Sequence, residues 1–311
     1  MDTKHGKKFI CIVIFLAMLF SFSLSRKFEE EELLEKPHHQ ILAELNYYKE
    51  RGDYWRKRAG TLSCKVDGLG PTGGFCLNPD TKESIGGNDL FDKGFAVEMT
   101  RIFLEPKTHS VSVIDFGCGF GQYGKYLNNE PSKRIAWTGY DGSENIEIIT
   151  NNFVKFIDLA EPKFLGTKYD WTMSIEVAEH LPMHLESNFL YMLHVHNNMG
   201  VVLTWAVPGQ DGHRHVNCQS NSYVKCVMTK LLNYTVVEEV NTKLKSVATL
   251  SWIKNTAMAF FKDSDYTPTK WHVAANKILS KYALGSTELQ DMHTKALCDS
   301  GCWELRNIGG V

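Results

Sequence analysis

The chain has 311 residues, of which 43% are hydrophobic and 23% charged, and a formal net charge of -2. That length accommodates one catalytic domain of about 200 residues with extensions, and the apolar content is ample for a core. A near-neutral chain has no basic footprint for neutralising phosphates, which disfavours nucleic acid and favours a small-molecule, glycan or protein partner.

Residues 1–25 read as an address. Lys4, Lys7 and Lys8 precede an uninterrupted apolar run over residues 9–20, weakly extended to residue 24, and Arg26 and Lys27 follow. A charged start and a short apolar stretch make a signal peptide, with Ser23 and Ser25 at the cleavage position, or a signal anchor that leaves the rest of the chain lumenal. This segment is the expected membrane contact, and the expected location is the secretory pathway. With Cys11 and Cys118 set aside, Cys64 lies near Cys76, Cys218 near Cys226 and Cys298 near Cys302. Close, even-numbered cysteines suit an oxidising compartment, their connectivity staying open, and no pair has the spacing of a zinc knuckle. Asn233-Tyr234-Thr235 is a glycosylation sequon.

Residues 26–60 are rich in Glu, Lys and Arg, with Leu33, Leu34, Ile41, Leu42, Leu45 and Tyr48 at roughly helical spacing around a break at Pro37. They form a charged helical stem that packs on the domain or self-associates weakly, so a monomer or weak dimer is expected. Residues 61–88 hold Gly68, Gly70, Pro71, Gly73, Gly74, Gly86 and Gly87, a loop-rich cap bracketed by Cys64 and Cys76. The main domain, residues 89–262, opens on a helical pattern of Phe91, Phe95, Ala96, Met99, Ile102 and Phe103.

Residues 110–124 organise that domain. Val111, Val113, Ile114 and Phe116 make a buried strand, Gly117, Gly119 and Gly121 a turn, and a helix follows to about Leu127. Glycines there let the chain reverse at positive φ and bring backbone N–H groups close to a ligand. Gly119, Gly121 and Gly124 satisfy the dinucleotide pattern G-x-G-x-x-G, but Asp115 stands two residues before the first glycine. A carboxylate there repels a diphosphate and suits a cationic ligand. The run Asp115, Phe116, Gly117, Cys118, Gly119, Phe120, Gly121 resembles motif I of the class I S-adenosylmethionine (SAM)-dependent methyltransferases, of the methyltransferase-like type 11/23 kind.

Further strands alternate with helices, as in a parallel sheet with crossovers. Residues 134–140 form the second strand, with Asp141 at its carboxyl end, where an acid accepts ribose hydroxyls in SAM- and NAD-binding folds alike. Residues 153–157 form the third, ending in Asp158, which is a turn residue or, by the resemblance, the partner of an adenine amino group. After a fourth strand at 171–175 come Glu176, Glu179, His180, Leu181 and Pro182, a run similar to motif IV of the same family. His180 and His184 form a metal-like pair by spacing, but no metal site is expected from it. The fifth strand, 201–205, leads into a loop with Gln210, Asp211, His213, Arg214, His215 and Asn217, whose histidines either serve an acceptor or order the loop. A helix at 221–232, a strand at 234–240, a helix at 243–254 and a last strand at 257–262 complete the domain, and residues 263–311 form a C-terminal appendage.

The resemblance covers residues 86–262. It implies an α/β, Rossmann-like, seven-stranded and mostly parallel sheet with helices on both faces in a single catalytic domain, and SAM as cofactor. By the same resemblance Asp115, Gly117, Cys118, Gly119, Gly121, Asp141, Asp158 and Glu176 would hold SAM, while Glu176, His180, His213 and His215 would be catalytic residues facing a methyl acceptor. A catalytically inactive SAM-binding protein and an NAD(P)-dependent oxidoreductase are the alternatives.

Overall fold

The computed structural model describes residues 37–67, 76–77, 84–85, 91–105, 109–263, 265–280 and 287–306, so the apolar N-terminal segment and most of the glycine-rich cap lie outside the described residues. The chain divides into two compact units, Met1–Arg56 and Lys57–Val311. Helix α1 (His38–Asp67) begins directly after Pro37, a residue that opens helices but cannot continue one. It runs on through Gly52 and Gly60 to Asp67, so seven residues expected in the cap belong to the helix. Leu42, Leu45, Tyr47, Tyr48, Tyr54 and Trp55 are exposed along it. Among the described residues no helix is long and apolar enough to cross a membrane. A short antiparallel pair joins Cys76–Leu77 to Ser84–Ile85, and the side chains of Cys64 and Cys76 lie outside the described set.

The larger unit is built on a seven-stranded sheet. In chain order its strands are β1 (Val111–Phe116), β2 (Ile135–Asp141), β3 (Val154–Phe156), β4 (Tyr169–Ser174), β5 (Asn197–Leu203), β6 (Thr235–Val236) and β7 (Met258–Phe261), and their spatial order is β3-β2-β1-β4-β5-β7-β6. Strands β1 to β5 are parallel, and β7 runs antiparallel to β5 and β6. Alternation splits β1 between two cores. Val111 and Val113 join Phe95, Met99, Phe103, Leu127 and Trp171, while Ile114 and Phe116 join Phe189, Trp205, Tyr223 and Met228. Helices therefore cover both faces, as the doubly wound pattern requires. Each fully buried side chain of this size contributes about 1.5–3 kcal/mol.

Two expected elements are reshaped. The strand expected at 234–240 is only Thr235–Val236, because Glu238 and Glu239 sit in the first turn of helix α7 (Glu238–Val247), where carboxylates favour the helix dipole. The helix expected at 243–254 is split into α7 and α8 (Ser251–Thr256). The break is held by Asp92, the N-cap of helix α2 (Lys93–Leu104), whose carboxylate takes the N–H groups of Thr249 (2.6 Å) and Leu250 (2.8 Å) while capping Phe95 (2.9 Å).

The C-terminal segment packs into the domain. Helices α9 (Lys270–Leu279) and α10 (Thr287–Ser300) place Trp271, Ala275, Ile278, Leu289 and Leu297 in the core around Phe189. Its charged anchor is Glu186, at the start of helix α5 (Glu186–Val195). The fully buried carboxylate accepts hydrogen bonds from Arg306 (2.8 Å), His293 (3.1 Å), Asn217 (3.2 Å) and the Tyr223 hydroxyl. Burial alone would raise its pKa, but the hydrogen bond and charge of His293, the charge of Arg306 and the Tyr223 hydrogen bond hold it below the usual carboxylate range.

Among the described residues, Cys218, Cys226, Cys298 and Cys302 do not pair with their sequence neighbours. Cys226 bonds to Cys302, 76 residues away, while Cys218 and Cys298 are free thiols. The packing of α10 on the Cys226 region brings the distant pair together. On chain entropy alone, cross-linking a loop of that length stabilises by about 4 kcal/mol. Cys302→Ser is thus expected to lower unfolding free energy by about 2–5 kcal/mol in denaturant titrations, and alkylation of the folded, unreduced protein should label Cys218 and Cys298 but spare Cys226 and Cys302.

Candidate functional site

The glycine turn after β1 adopts the geometry that its composition requires. Gly117, Gly119 and Gly121 all have positive φ, at 77°, 54° and 73°. Space restricts them as well: a Cβ on Gly117 would collide with the Val177 side chain, and one on Gly121 would lie 2.7 Å from the Phe153 ring. The N–H groups of Gly117 (2.8 Å) and Cys118 (3.1 Å) donate to the Tyr140 carbonyl and tie the turn to β2. Asp141, at the end of β2, accepts from Gly119 N–H (2.8 Å) with one oxygen and from the Ser143 N–H (2.8 Å) and hydroxyl (2.7 Å) with the other. The Cys118 thiol packs against β2, near enough to Gly139 that a Cβ there would meet Sγ at 2.7 Å.

Asp115 is buried at the end of β1. Trp137 Nε1 donates to its Oδ2 (3.2 Å), and Oδ1 has no hydrogen-bond partner among the described residues. Burial pushes its pKa up to about 8, with Trp137 opposing and Asp141 adding to the rise. Asp158 follows β3 and closes a turn by accepting from Ala160 N–H (2.8 Å); burial raises its pKa as well.

Beyond β4 lies a second group. The Ser174 hydroxyl donates to the Phe116 carbonyl (2.7 Å), which holds the β4 loop beside the glycine turn. Glu176 follows at φ 54°, its N–H donating to Thr204 Oγ1 (2.7 Å) and its carboxylate accepting from Gln210 Nε2 (2.7 Å) and Thr256 Oγ1 (3.4 Å). Burial raises the Glu176 pKa against those hydrogen bonds. Glu179 is fully buried in a 3-10 turn, Ala178–His180. Its carbonyl accepts the N–H groups of Val216 (2.8 Å) and Asn217 (3.0 Å), binding the β5 loop to the β4 loop. One carboxylate oxygen accepts weakly from Ala206 N–H (3.4 Å), and the other, Oε1, has no hydrogen-bond partner among the described residues. Burial, then the charge of Glu176, drives its pKa well above the ordinary range.

His180 stacks edge-to-face with His215, ring centroids 5.0 Å apart. Burial and the neighbouring His215 push the His180 pKa down to about 4, so its ring is neutral at pH 7. The left-handed Arg214 (φ 57°) separates the two loop histidines: His215 turns inward and His213 is exposed. The structure thus brings Glu176, Glu179, His180 and His215 together, and leaves His213 and His184 at the surface. In the sequence Glu179 stands in the motif after β4 with no role assigned to it. Its placement three residues after Glu176 and next to His180 was the available signal.

The sheet has seven strands, mostly parallel, with a late antiparallel strand, as the resemblance implies. This is a Rossmann-like α/β fold. No family model matches the chain, and no curated protein matches it by sequence. Among solved structures it is similar to the amino pentose methyltransferase CalS10 of Micromonospora echinaspora, solved with SAM bound (15% identity, 37% of this chain, 52% of that one, TM-score 0.32). It is also similar to the magnesium protoporphyrin IX methyltransferase ChlM of Synechocystis PCC 6803, likewise with SAM (17% identity, 53% of this chain, 76% of that one, TM-score 0.36). A third is the sugar N-methyltransferase KedS8 of Streptoalloteichus sp ATCC 53650 (18% identity, 39% of this chain, 52% of that one, TM-score 0.33). The chain spans about half the length of the two sugar-modifying enzymes.

The buried acid makes a pH prediction. Asp115 has a folded pKa of about 8 against 3.8 for a free side chain, so the folded state holds the proton more tightly and its burial costs stability increasingly as pH rises from about 4 to about 8. Asp115→Asn should match the wild type near pH 4 and exceed it by roughly 2–5 kcal/mol at pH 9 in denaturant titrations. A difference that does not grow with pH would mean that the carboxyl is solvated.

Proposed function

We propose that this chain binds SAM at the carboxyl ends of β1 and β2 and transfers its methyl group to a small-molecule, glycan or protein acceptor. The observation that carries this reading is Asp115: a buried carboxyl with one unpartnered oxygen, at the mouth of a turn with three left-handed glycines. Such a group fits a ligand carrying an ammonium and a sulfonium, whose charge would draw off its proton, while the diphosphate of a nicotinamide dinucleotide would oppose its ionisation.

In this reading Asp115 and the turn of Gly117, Cys118, Gly119 and Gly121 hold the methionine part, Asp141 the ribose, Asp158 the adenine, and Glu176 closes the donor side. SAM supplies an electrophilic methyl group for in-line displacement. The protein's part is to align the acceptor and exclude water, and the cross-tied loops at Glu179 give that side a fixed shape. His180, neutral at pH 7, is able to accept a proton from an acceptor hydroxyl or ammonium, with His215 beside it and His213 at the rim. The secretory location belongs to the same proposal, with residues 1–25 as its address and membrane contact. The Cys226–Cys302 disulfide and the exposed Asn233 of the sequon support it.

Calorimetric titration of the oxidised protein with SAM, S-adenosylhomocysteine and NADH tests the reading. SAM and its product should bind and NADH should give no heat. Asp141→Ala should weaken SAM binding roughly 10- to 100-fold, the loss of charge-assisted hydrogen bonds worth about 1.5–3 kcal/mol. Binding without methyl transfer to any acceptor class would favour the inactive SAM-binding protein, and no binding by folded protein would end the methyltransferase reading.

A further inference from the structure

We infer that Glu179, His180 and His215 form a binding site for a divalent transition-metal ion. One donor atom from each lies within 4.8 Å of the others, with Glu179 Oε1 3.9 Å from His180 Nε2. Metal–ligand bonds of about 2.0–2.2 Å put two ligands of one ion at most about 4.4 Å apart, so small side-chain rotations close the set around a single ion.

Two independent features point to a cation, and a third shows how the loop seats one of the rings. The first is Glu179 Oε1, an oxygen of a fully buried side chain with no hydrogen-bond donor among the described residues. Burying an unmatched carboxylate oxygen is costly, and the position of Oε1 facing an imidazole nitrogen is that of a metal ligand. The second is how the two rings are held. His180 Nδ1 lies 3.3 Å from the Arg214 carbonyl and His215 Nδ1 lies 3.0 Å from the Gln210 carbonyl. A carbonyl can only accept, so the shorter contact, at His215, places the proton on Nδ1 and leaves the lone pair on Nε2, while the His180 ring also has the backbone of His213 as a partner. Backbone carbonyls commonly fix metal-binding histidines in this way. The third is Gly212: a Cβ there would collide with His215 Nε2, so the loop leaves room for that ring only because the residue is glycine.

The ligands are also braced. Both N–H bonds from Val216 and Asn217 to the Glu179 carbonyl fasten the strand of loop carrying His215 to the turn carrying Glu179 and His180. Two imidazoles and one carboxylate select zinc, manganese, iron or cobalt over calcium or magnesium, which prefer all-oxygen shells. Three protein ligands leave coordination positions open. The exposed His184 has no place in the set, although its spacing from His180 is the more metal-like in sequence. The site requires no bound SAM and stands apart from the donor-site reading; with an ion bound, His180 and His215 hold the ion instead of accepting a proton from the methyl acceptor.

The test uses protein stripped with a chelator, then titrated calorimetrically with Zn²⁺, Mn²⁺ and Co²⁺ alone, with Co²⁺ also followed by its visible absorption. The expected result is one equivalent bound for at least one ion, with cobalt bands that disappear on zinc addition. Glu179→Gln and His215→Gln, each checked for folding by thermal melting, should weaken that binding at least tenfold, while His184→Ala leaves it unchanged. No binding by folded protein, or binding that survives both substitutions, overturns the inference. SAM titration of the same stripped protein is read separately: donor binding without metal binding removes this site and leaves the proposed function standing.

Discussion

The close approach of Gly117 to Val177 is the contact on which the site depends. With no Cβ at Gly117, the β4 loop settles against the turn after β1, and the Ser174 hydroxyl reaches the Phe116 carbonyl to hold it there. That position sets everything further along the β4 loop. Glu176 takes a left-handed conformation so that its side chain meets Gln210 and Thr256, and the 3-10 turn that follows presents the Glu179 carbonyl to the β5 loop. A left-handed non-glycine residue is costly by about 1 kcal/mol or more and persists where neighbours over-determine it. Here the neighbours are Thr204, Gln210 and Thr256, from three different segments.

Buried carboxyl groups divide this molecule into architecture and chemistry. Asp92 and Glu186 are saturated: the first takes three backbone N–H groups, the second is surrounded by Arg306, His293, Tyr223 and Asn217, and both are held below their ordinary pKa despite burial. Asp115 and Glu179 are equally buried, yet each keeps an oxygen without a partner, and burial drives both upward. The same desolvation acts on all four, so the difference lies in what donates to them. Saturated acids hold elements together, whereas under-satisfied ones are poised for a positive ligand.

Sequence made the local half of this legible. The β1 strand and its turn are contiguous, and glycine spacing dictates their conformation without reference to anything distant. The fold class followed from the alternation of strands and helices. What sequence could not supply came from tertiary contacts. The break between α7 and α8 is made by Asp92, far earlier in the chain, and no pattern within residues 238–256 announces it. His213 and His215 are equivalent in a loop read as letters, and only the left-handed Arg214 sends one outward and the other toward His180. Cysteine connectivity stayed open in the sequence for the same reason, since Cys226 and Cys302 meet through packing of α10, not through a local loop.

That packing reaches the site. Asn217 donates to the Glu186 carboxylate and its carbonyl accepts from Trp205 Nε1 (2.6 Å), while its own N–H binds the Glu179 carbonyl. Glu186 is in turn held by Arg306 and His293 from the C-terminal segment, and Leu305 accepts from the Ser220 hydroxyl. The C-terminal segment thus braces a residue two positions from His215. Removing one partner from a buried pair such as Arg306 and Glu186 costs about 3–5 kcal/mol because it strands a charge. Part of that cost would fall on Asn217, and through it on the loop that brings His215 to His180. The described residues of the C-terminal segment therefore support the loop that carries His215.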